Sequence, residues 1–370
     1  MKHIGIVTFP SSKAGVTPLV NLIATVSAIT PTVVVISGGE ALGHIKSSQS
    51  VSIHKVDHIS YNNNILRIIS YIITQVKISL VIIRQSRFVD TYIFFLGGNS
   101  LMLPSIAAKA SGSEVVISMA GSLSKSIDNN EKGFANIVEL LSICNYAISD
   151  KIVIYSQSLI DEWNLHDYVS KIKIAHEHVV DESLFSLKTP ICKREKKVGF
   201  IGRFSEEKGI NELMEAIVLL LRAHREIRFL FVGDGKLNGV IQETIVKYGI
   251  QDNVEVQKWV DRHELVNVLN SLKAIILPSR TEGLPNIMLE ALACGTPVIV
   301  SPVGAIKDLI IDGANGYVLE DNSPECIART IILALDSDNT EIIANGIELI
   351  NNEFRFECSI RAWKSVLTVY

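Results

Sequence analysis

The feature that most constrains this chain is the alternation of short aliphatic runs with longer mixed segments. Strands that alternate with helical segments form parallel sheets with right-handed crossovers, so the pattern predicts a doubly wound α/β domain. In the first half we predict strands at IGIVTF (4–9), TVVVIS (32–37), VSIHKV (51–56), LVIIR (80–84), EVVISM (114–119) and AISDKIVIYS (147–156).

The alternation pauses once, at the basic segment KTPICKREKK (188–197), where we place a linker. Beyond it, the runs KVGFIG, FLFVG, VEVQKWV, KAIILPS and TPVIVS predict a second α/β domain, with helices at 211–224 and 286–293. The predicted N-terminal domain is 1–187 and the predicted C-terminal domain is 188–353. Apolar residues at helical spacing in 354–370 indicate a closing helix that completes the first domain.

Length and composition agree with two such domains. A chain of 370 residues exceeds what one hydrophobic core usually organises. Hydrophobic residues make up 48% but aromatic residues only 6%, and the mean hydropathy is +0.30. This aliphatic excess is typical of buried parallel strands.

Charge and cysteine content restrict the partners and the compartment. A net charge of -4 argues against nucleic acid, whose binding depends on basic residues that neutralise phosphates. The N-terminus enters a strand directly, so we expect no signal peptide. The cysteines are odd in number and scattered without metal-ligand spacing, which predicts reduced thiols in the cytoplasm: Cys144, Cys192, Cys294, Cys326 and Cys358.

Two apolar stretches, Ile65–Ile83 and Tyr92–Ala108, approach the length of a membrane span. Both are interrupted by polar residues, glycine or proline, so neither is a continuous apolar run of about 20 residues. We interpret them as core elements. Contact with the inner face of a membrane stays open, and the sequence does not indicate an oligomeric state.

The segment GRFSEEKG (202–209) follows a predicted strand and precedes a predicted helix that begins near Ile210. Ligands of α/β sheets bind at the carboxyl ends of strands, and a helix N-terminus there favours anions. Arg203 can offer a planar fork to phosphate oxygens, while Lys208 supplies a mobile charge. The alternative is a surface loop in which Lys208 pairs with Glu206 or Glu207.

A second motif, PSRTEGLPNIMLEALACGTPVI, follows the strand KAIIL. Pro285 suits the first helical position and Gly295 suits a helix terminator, which predicts a helix over 285–294. Glu282 then precedes the helix and Glu290 lies within it. Carboxylates accept hydrogen bonds from the vicinal hydroxyls of sugars. The alternative is a capping Glu282 and a solvent-facing Glu290.

Together with the glycine-bearing loop at 303–319, these motifs resemble the donor domain of retaining GT-B glycosyltransferases of family 4. That family's patterns G-R-x4-K-G and E-x7-E are both matched, and the resemblance is specific over 197–319. HEHVVDESLF (176–185) is similar to the family's N-G-V-D-x3-F step and retains Asp181 and Phe185, but it lacks the Asn-Gly.

The resemblance implies two Rossmann-like domains that face each other across a cleft, and transfer of a hexosyl group from a UDP- or GDP-linked sugar. By the same resemblance, Arg203 and Lys208 hold the donor diphosphate, Glu290 holds the ribose, and Glu282 contacts the transferred sugar. The rest of the donor cradle would be Gly202, Gly283, Leu284, Pro285 and Asn286.

A metal is one way to neutralise a departing diphosphate, and Asp336-Ser337-Asp338 matches a D-x-D metal motif. It follows an apolar helical segment, so we interpret it as a helix exit. Two cations and a helix N-terminus are the alternative. We therefore predict transfer without a metal or cofactor, and the resemblance implies retention of anomeric configuration.

The acceptor side is less defined. Gly15 gives a flexible turn after the first strand but lacks the adjacent glycine pair that many family members have. Gly121 and Ser122 follow another strand, in a segment where members often carry a histidine that is absent here. The expected acceptor is a glycan, a glycolipid or other lipid-linked acceptor, or a small molecule. His176 and His178 are interpreted as core or linker residues.

Three other functions compete with an active transferase. The missing histidine and glycine pair suggest a catalytically silent sugar-nucleotide-binding subunit. A nicotinamide oxidoreductase is disfavoured because no G-x-G-x-x-G follows either opening strand. A sugar-nucleotide epimerase could share the architecture, but the complete E-x7-E favours transfer.

Overall fold

The computed structural model describes residues 3–10, 15–39, 43, 50–61, 63–120 and 132–367, excluding the side chains of 132–135. The chain forms two compact units. The first comprises Met1–Val179 and Phe356–Tyr370, and the second comprises Val180–Arg355. The division at Val180 lies eight residues before the predicted start of the second domain, at 188, and the segment 188–197 lies inside the second unit.

The first unit is built on a parallel sheet whose strands run in the order β3-β2-β1-β4-β5-β6-β7. All its neighbouring pairs within the described residues are parallel. The strands are β1 Ile4–Thr8, β2 Val33–Ser37, β3 Val51–Lys55, β4 Thr91–Phe95, β5 Glu114–Ser118, β6 Lys151–Ile154 and β7 Ile172–Ile174.

Helices cover this first sheet, and one of them comes from the end of the chain. The helices are α1 Val16–Ser27, α2 Asn64–Gln85, α3 Met102–Ala110, α4 Lys132–Ile148, α5 Leu159–Glu162 and α13 Phe356–Leu367. Trp363, Val366 and Leu367 of α13 are fully buried in one apolar cluster with Leu22 and Val26 of α1. The last helix therefore belongs to the core of the first unit.

One predicted strand is wrong. LVIIR (80–84) forms the last turns of α2, and the strand of this region is β4, which begins one residue before the apolar stretch 92–108. β4 is fully buried, as a core element should be, but Leu103 and Ile106, later in the same stretch, are 40% and 42% exposed. Helix α2 also exposes aliphatic residues along one side, so the interpretation of 65–83 as a core element holds only for its inward side. Within the described residues, α2 is the one helix long and apolar enough to cross a membrane by length and composition.

The second unit repeats the architecture with the order β10-β9-β8-β11-β12-β13. Its strands are β8 Lys197–Ile201, β9 Arg228–Val232, β10 Val254–Gln257, β11 Ala274–Leu277, β12 Val298–Val300 and β13 Tyr317–Val318. Its helices are α6 Ile210–Leu221, α7 Asn238–Tyr248, α8 Arg262–Ser271, α9 Asn286–Ala293, α10 Ile306–Leu309, α11 Pro324–Asp336 and α12 Thr340–Glu353. The predicted fold class, two parallel-sheet α/β domains, is thus confirmed.

The strand order of the second unit determines where a ligand can bind. β8 opens this sheet and lies between β9, which follows it in sequence, and β11. The order reverses between β8 and β11, and such a switch point leaves a crevice at the carboxyl ends of the strands. The loop after β8 carries the segment GRFSEEKG (202–209), which we call the basic turn. The loop after β11 carries Glu282, the first glutamate of the E-x7-E motif.

Arg194, inside the predicted linker, is an internal anchor of the second unit. Its buried guanidinium donates to the carbonyl oxygens of Leu272 (2.9 Å) and Cys294 (2.8 Å) and to Oγ1 of Thr296 (2.8 Å). Burial lowers the pKa of Arg194 to about 10, which leaves it charged at neutral pH. The charge of this segment favours a linker in the sequence. In the structure, the charge of Arg194 is instead satisfied by main-chain carbonyl groups at the C-terminal ends of α8 and α9.

Candidate functional site

The turn after β8 is held against the turn after β11. Glu206–Lys208 forms a 3-10 turn, and Gly209 then adopts a left-handed conformation (φ +69°) at the start of α6. A Cβ atom on Gly209 would lie 2.1 Å from the carbonyl oxygen of Pro278, closer than any real contact. Glycine at 209 therefore lets the two loops meet, and Lys208 is carried to the edge of the second loop.

Lys208 and Glu282 form an ion pair at the switch point. Nζ of Lys208 lies 2.6 Å from Oε1 of Glu282, and the Ser279 hydroxyl donates to the same oxygen at 2.7 Å. The side chains of Lys208 and Glu282 are only 24% and 10% exposed. The alternative pairing of Lys208 with Glu206 or Glu207 is wrong, because the loop turns its ammonium group toward β11.

Arg203 occupies the more open side of the same turn. Its guanidinium Nη1 lies 3.8 Å from Oε1 of Glu207, and its side chain is 63% exposed. An exposed pair at this distance contributes little to stability. Arg203 can therefore leave Glu207 for a stronger anion at little cost.

The backbone before α9 presents several N–H groups. Pro285 is the N-cap, one residue before the helical position predicted for it, and α9 begins at Asn286. Within the described part of the chain, the N–H groups of Gly283, Leu284 and Asn286 have no acceptor. Such groups at a helix N-terminus attract anions. At the other end, Gly295 (φ +61°) terminates the helix as predicted, with its N–H bonded to the Leu292 carbonyl.

The loop after β12 packs against the backbone of Glu282 and Gly283 and holds it in place. Ala305 donates its N–H to the carbonyl of Gly283 at 2.9 Å. Gly304 has φ +59°, and a Cβ atom there would lie 2.3 Å from the carbonyl oxygen of Glu282. Glycine at 304 is thus required for the close packing that holds the Glu282–Gly283 peptide in place.

Gly233 and Gly235, which sequence reasoning missed, form the turn after β9 and support the basic turn. Gly202 donates to the Val232 carbonyl at the end of β9, and Phe204 donates to the Asp234 carbonyl, both at 3.0 Å. A Cβ atom on Gly233 or Gly235 would lie 2.0 or 2.3 Å from a carbonyl oxygen of that turn. The sequence G-D-G directly after a buried strand was the available signal.

Glu290 is a buried carboxylate with one cation near it. Its side chain is 14% exposed, and Nη2 of Arg262 lies 3.6 Å from its Oε1. Burial raises the pKa of Glu290 to about 7, although Arg262 opposes the shift. The predicted alternative of a solvent-facing Glu290 is therefore wrong. Arg262 also lies over the ring of Phe185, at 5.3 Å from its centroid.

The D-x-D motif is a helix exit, as interpreted. Asp336 ends α11 and accepts a hydrogen bond from Lys196 at 3.0 Å, whereas Asp338 accepts from the Thr340 hydroxyl at 2.6 Å. The two carboxylates thus serve different partners. Among the described residues, no group of three or more His, Cys, Asp or Glu side chains is arranged to hold a metal ion.

The acceptor-side residues are placed only in part. Gly15 is buried at the N-cap of α1. Its φ of -82° is a backbone conformation that any residue can adopt, so the position does not require glycine for its conformation. Gly121 and Ser122 lie outside the described residues. His176 and His178 lie in the first unit beside Glu177, a fully buried carboxylate that accepts a 2.9 Å hydrogen bond from Tyr155.

Residues 183–348 match the family model of glycosyl transferases group 1. This span covers less than half of the chain, lies inside the second unit, and contains the basic turn, both motif glutamates and Gly304. The second unit is therefore similar to the domain that this family model describes, and its parallel α/β sheet agrees with the GT-B architecture that the sequence predicts.

Particular relatives agree with this class. The chain is similar to an uncharacterized glycosyltransferase of Methanocaldococcus jannaschii, at 30% identity over 154 residues, 42% of this chain and 38% of that protein. It is also similar to the 2-deoxystreptamine glucosyltransferase of Streptomyces kanamyceticus, at 30% identity over 166 residues, 42% of this chain and 41% of that protein. The matched region thus spans less than half the length of either relative.

A solved structure extends the likeness of fold to the whole chain. HepE of Anabaena, in complex with UDP and glucose, superposes with a TM-score of 0.76 at 16% identity, over 99% of both chains. At this level of identity the likeness concerns the fold.

Proposed function

We propose that this protein transfers a hexosyl group from a nucleotide-diphosphate sugar to a hydroxyl of a glycan, a glycolipid or a small molecule. The transfer would retain anomeric configuration, need no metal and take place in the cytoplasm. The observation that carries the proposal is the Lys208–Glu282 pair at the switch point, beside a row of backbone N–H groups that have no acceptor among the residues the structure describes. A cation, a carboxylate and an anion-binding backbone are what a sugar diphosphate requires.

The diphosphate would lie between the basic turn and the start of α9. Lys208 and Arg203 contribute two positive charges, and Gly283, Leu284 and Asn286 contribute backbone donors. Lys208 and the backbone donors are held in place before the donor binds, so they stabilise charge as it develops on the leaving phosphate, and Arg203 can move to the diphosphate from its weak contact with Glu207. Removing one preorganised donor of this kind typically costs about 3 to 4 kcal/mol of barrier.

Glu282 would act on both the cation and the sugar. One of its oxygens already accepts from Lys208 and Ser279. Its other oxygen can accept a hydrogen bond from a hydroxyl of the transferred sugar. The same carboxylate would then position the ammonium group toward the diphosphate and orient the sugar above it.

Glu290 would bind the ribose. Its carboxylate lies on α9 one turn beyond the phosphate-binding backbone, and two vicinal hydroxyls can donate to its two oxygens. Arg262 supplies the opposite charge that favours the ionised form of Glu290 when the donor is bound. Ribose recognition is independent of the base, which leaves UDP and GDP as donors.

Retention is supported by the resemblance to family 4. In front-face attack the acceptor approaches the anomeric carbon from the side of the departing diphosphate, and a phosphate oxygen takes the acceptor proton. No separate general base is then needed, and the chain's own task is to hold the diphosphate still. The UDP and glucose bound to the HepE structure support UDP-glucose as the first donor to test.

The test is turnover of UDP- and GDP-linked hexoses by the purified chain, measured as release of nucleoside diphosphate with and without EDTA. Lys208→Ala and Glu282→Ala should each lower the rate at least a hundredfold. Lys247→Ala and Glu243→Ala, which change exposed residues of α7, should leave it unchanged. Loss of activity in EDTA would refute the metal-free mechanism.

The second candidate is a sugar-nucleotide-binding subunit without turnover. It is favoured by the acceptor side, where the family's histidine and glycine pair are absent from the sequence. Donor binding that depends on Lys208 but never releases the nucleoside diphosphate would select this function. Inversion of configuration at one carbon of the donor sugar, without release of the nucleoside diphosphate, would instead select a sugar-nucleotide epimerase.

A further inference from the structure

The inward side of helix α2 of the first unit carries polar side chains together with the fully buried Ile78 and Ile82. Ser70, Tyr71, Thr74 and Gln75 are buried. The Tyr71 hydroxyl donates to Oγ of Ser100 at 2.8 Å, and Oε1 of Gln75 accepts from the N–H of Leu103 at 3.0 Å. These bonds attach α2 to the segment that leads into α3, so the orientation of the helix is determined.

The outward side of α2 is aliphatic. Six of its residues, each between 45% and 54% exposed, lie within one stripe of the helix: Ile69, Ile72, Ile73, Val76, Leu80 and Ile83. Leu103 and Ile106 of α3, which packs against α2, are 40% and 42% exposed. We call these eight residues the outer apolar face. Contiguous apolar surface of this kind marks an interaction site.

The charged residues of α2 and of the segments beside it in sequence have one sign. No aspartate or glutamate occurs in residues 58–89. Lys77 and Arg84 are exposed and lie two helical turns apart at one edge of the stripe, and the exposed Arg87 follows the helix. An aliphatic stripe whose own helix carries only cations among its charged residues is typical of helices that lie in the interface of an anionic membrane.

We propose that the outer apolar face docks onto a lipid bilayer that contains anionic headgroups, with α2 lying in the plane of the membrane surface. A spanning arrangement would remove Tyr71 and Gln75 from their hydrogen-bond partners, so the contact is peripheral. Aliphatic side chains would enter the acyl boundary, while Lys77, Arg84 and Arg87 contact headgroup phosphates. This surface belongs to the first unit alone and does not depend on the proposed transfer.

The proposal is tested by cosedimentation of the full chain with two kinds of vesicle, phosphatidylcholine alone and phosphatidylcholine with phosphatidylglycerol. We expect binding to the anionic vesicles and weakening as salt is raised. Each cation near the surface contributes about 1 kcal/mol, so the triple variant should bind on the order of 100-fold more weakly: Lys77→Gln, Arg84→Gln and Arg87→Gln.

A second triple variant removes aliphatic surface and should weaken binding at least tenfold: Ile72→Gln, Ile73→Gln and Val76→Gln. Matched controls change exposed residues of the second unit and should bind as the wild type does. The aliphatic control carries Val246→Gln, Ile311→Gln and Leu333→Gln. The charge control carries Arg222→Gln, Arg225→Gln and Lys258→Gln.

Three results would overturn the proposal. The first is absence of binding to anionic vesicles. The second is binding that the outer-face variants and their controls reduce equally. The third is a wild-type dimer in analytical ultracentrifugation that the aliphatic triple variant converts to monomer, with no vesicle binding by either form. The charge variant touches no core residue, so it keeps the test valid if the aliphatic variant fails to fold.

Discussion

At the scale of single residues, the candidate donor site is characterised by carboxylates held in a partly desolvated environment. Glu282 accepts hydrogen bonds from a lysine and a serine, whereas the largely buried Glu290 has one guanidinium at 3.6 Å. The two glutamates share a motif but differ in electrostatic setting. This difference gives Glu290 a pH dependence that can be measured.

We expect nucleotide affinity to rise as the pH rises through about 7, because ribose hydroxyls donate to the ionised Glu290 and its pKa in the free protein is about 7. Below that pH the affinity should fall by up to about tenfold per pH unit. Titration calorimetry with UDP between pH 5.5 and 8.5 would measure it. Glu290→Gln should lose this component, while Glu243→Gln should keep it. Identical profiles for wild type and Glu290→Gln would exclude the assigned role.

Glu177 predicts a second pH effect, on stability. Burial raises the pKa of Glu177 to about 7, although the Tyr155 hydrogen bond opposes the shift. A raised carboxyl pKa stabilises the fold at pH values below the unfolded pKa, and this contribution is lost as the pH rises from about 4.5 to 7. The loss is roughly 3 kcal/mol.

The measurement is urea unfolding of wild type and Glu177→Gln across this pH range. Relative to wild type, the variant should gain stability as the pH rises, because it has no carboxyl group to ionise. Only the difference is informative, since burial lowers the pKa of the neighbouring His176 to about 4 and that group acts in the opposite direction. A difference that does not change with pH would show that Glu177 stays ionised.

At the scale of elements, the sequence predicted the second unit better than the first. β8, β9, β11 and β12 are short, buried parallel strands, and their continuous aliphatic runs identify them. LVIIR in α2 has the same composition but is helical. Local periodicity could not distinguish the two, because the outward side of α2 is as apolar as a core strand.

The contacts of the site were less predictable than its residues. Lys208 and Glu282 were both identified, but their pairing joins positions 74 residues apart and depends on the β8–β11 adjacency. The supporting glycines at 233, 235 and 304 could not be assigned, because their role depends on carbonyl groups of loops distant in sequence. Arg194 was misassigned for the same reason.

We predict that Gly304→Ala disrupts the site and not only the local backbone. The added Cβ would clash with the Glu282 carbonyl at 2.3 Å, so the Glu282–Gly283 peptide must move. UDP affinity and turnover should fall at least tenfold. Gly313→Ala is the matched control, since Gly313 has φ +70° but no atom within 4 Å of its Cβ position.

The control should lose about 1 kcal/mol of stability from left-handed strain alone. Chemical denaturation and titration calorimetry on both variants separate strain from displacement. Equal, small effects of the two substitutions on UDP affinity would mean that the loop after β12 does not position the site.

At the scale of the whole molecule, the two units should respond separately to core damage. Trp363 is fully buried in the first unit, so Trp363→Ala should destabilise that unit by about 3 to 5 kcal/mol. UDP affinity at the second unit should be retained. Trp259→Ala, at a tryptophan that is 59% exposed, controls for loss of an indole.

Differential scanning calorimetry with and without UDP would measure this separation. We expect the variant to unfold in two transitions, of which UDP raises only the later one. One transition that shifts as a whole with UDP would show that the units unfold together.

Helix α13 determines when the first unit can complete its fold during synthesis. Translation releases the first strands and helices long before Phe356–Leu367, yet the cluster around Leu22 and Val26 needs the indole and aliphatic groups of α13. The second unit, Val180–Arg355, is continuous and can condense as soon as it leaves the ribosome. The first unit, most of which is synthesised first, can therefore complete this core only after α13 has been synthesised.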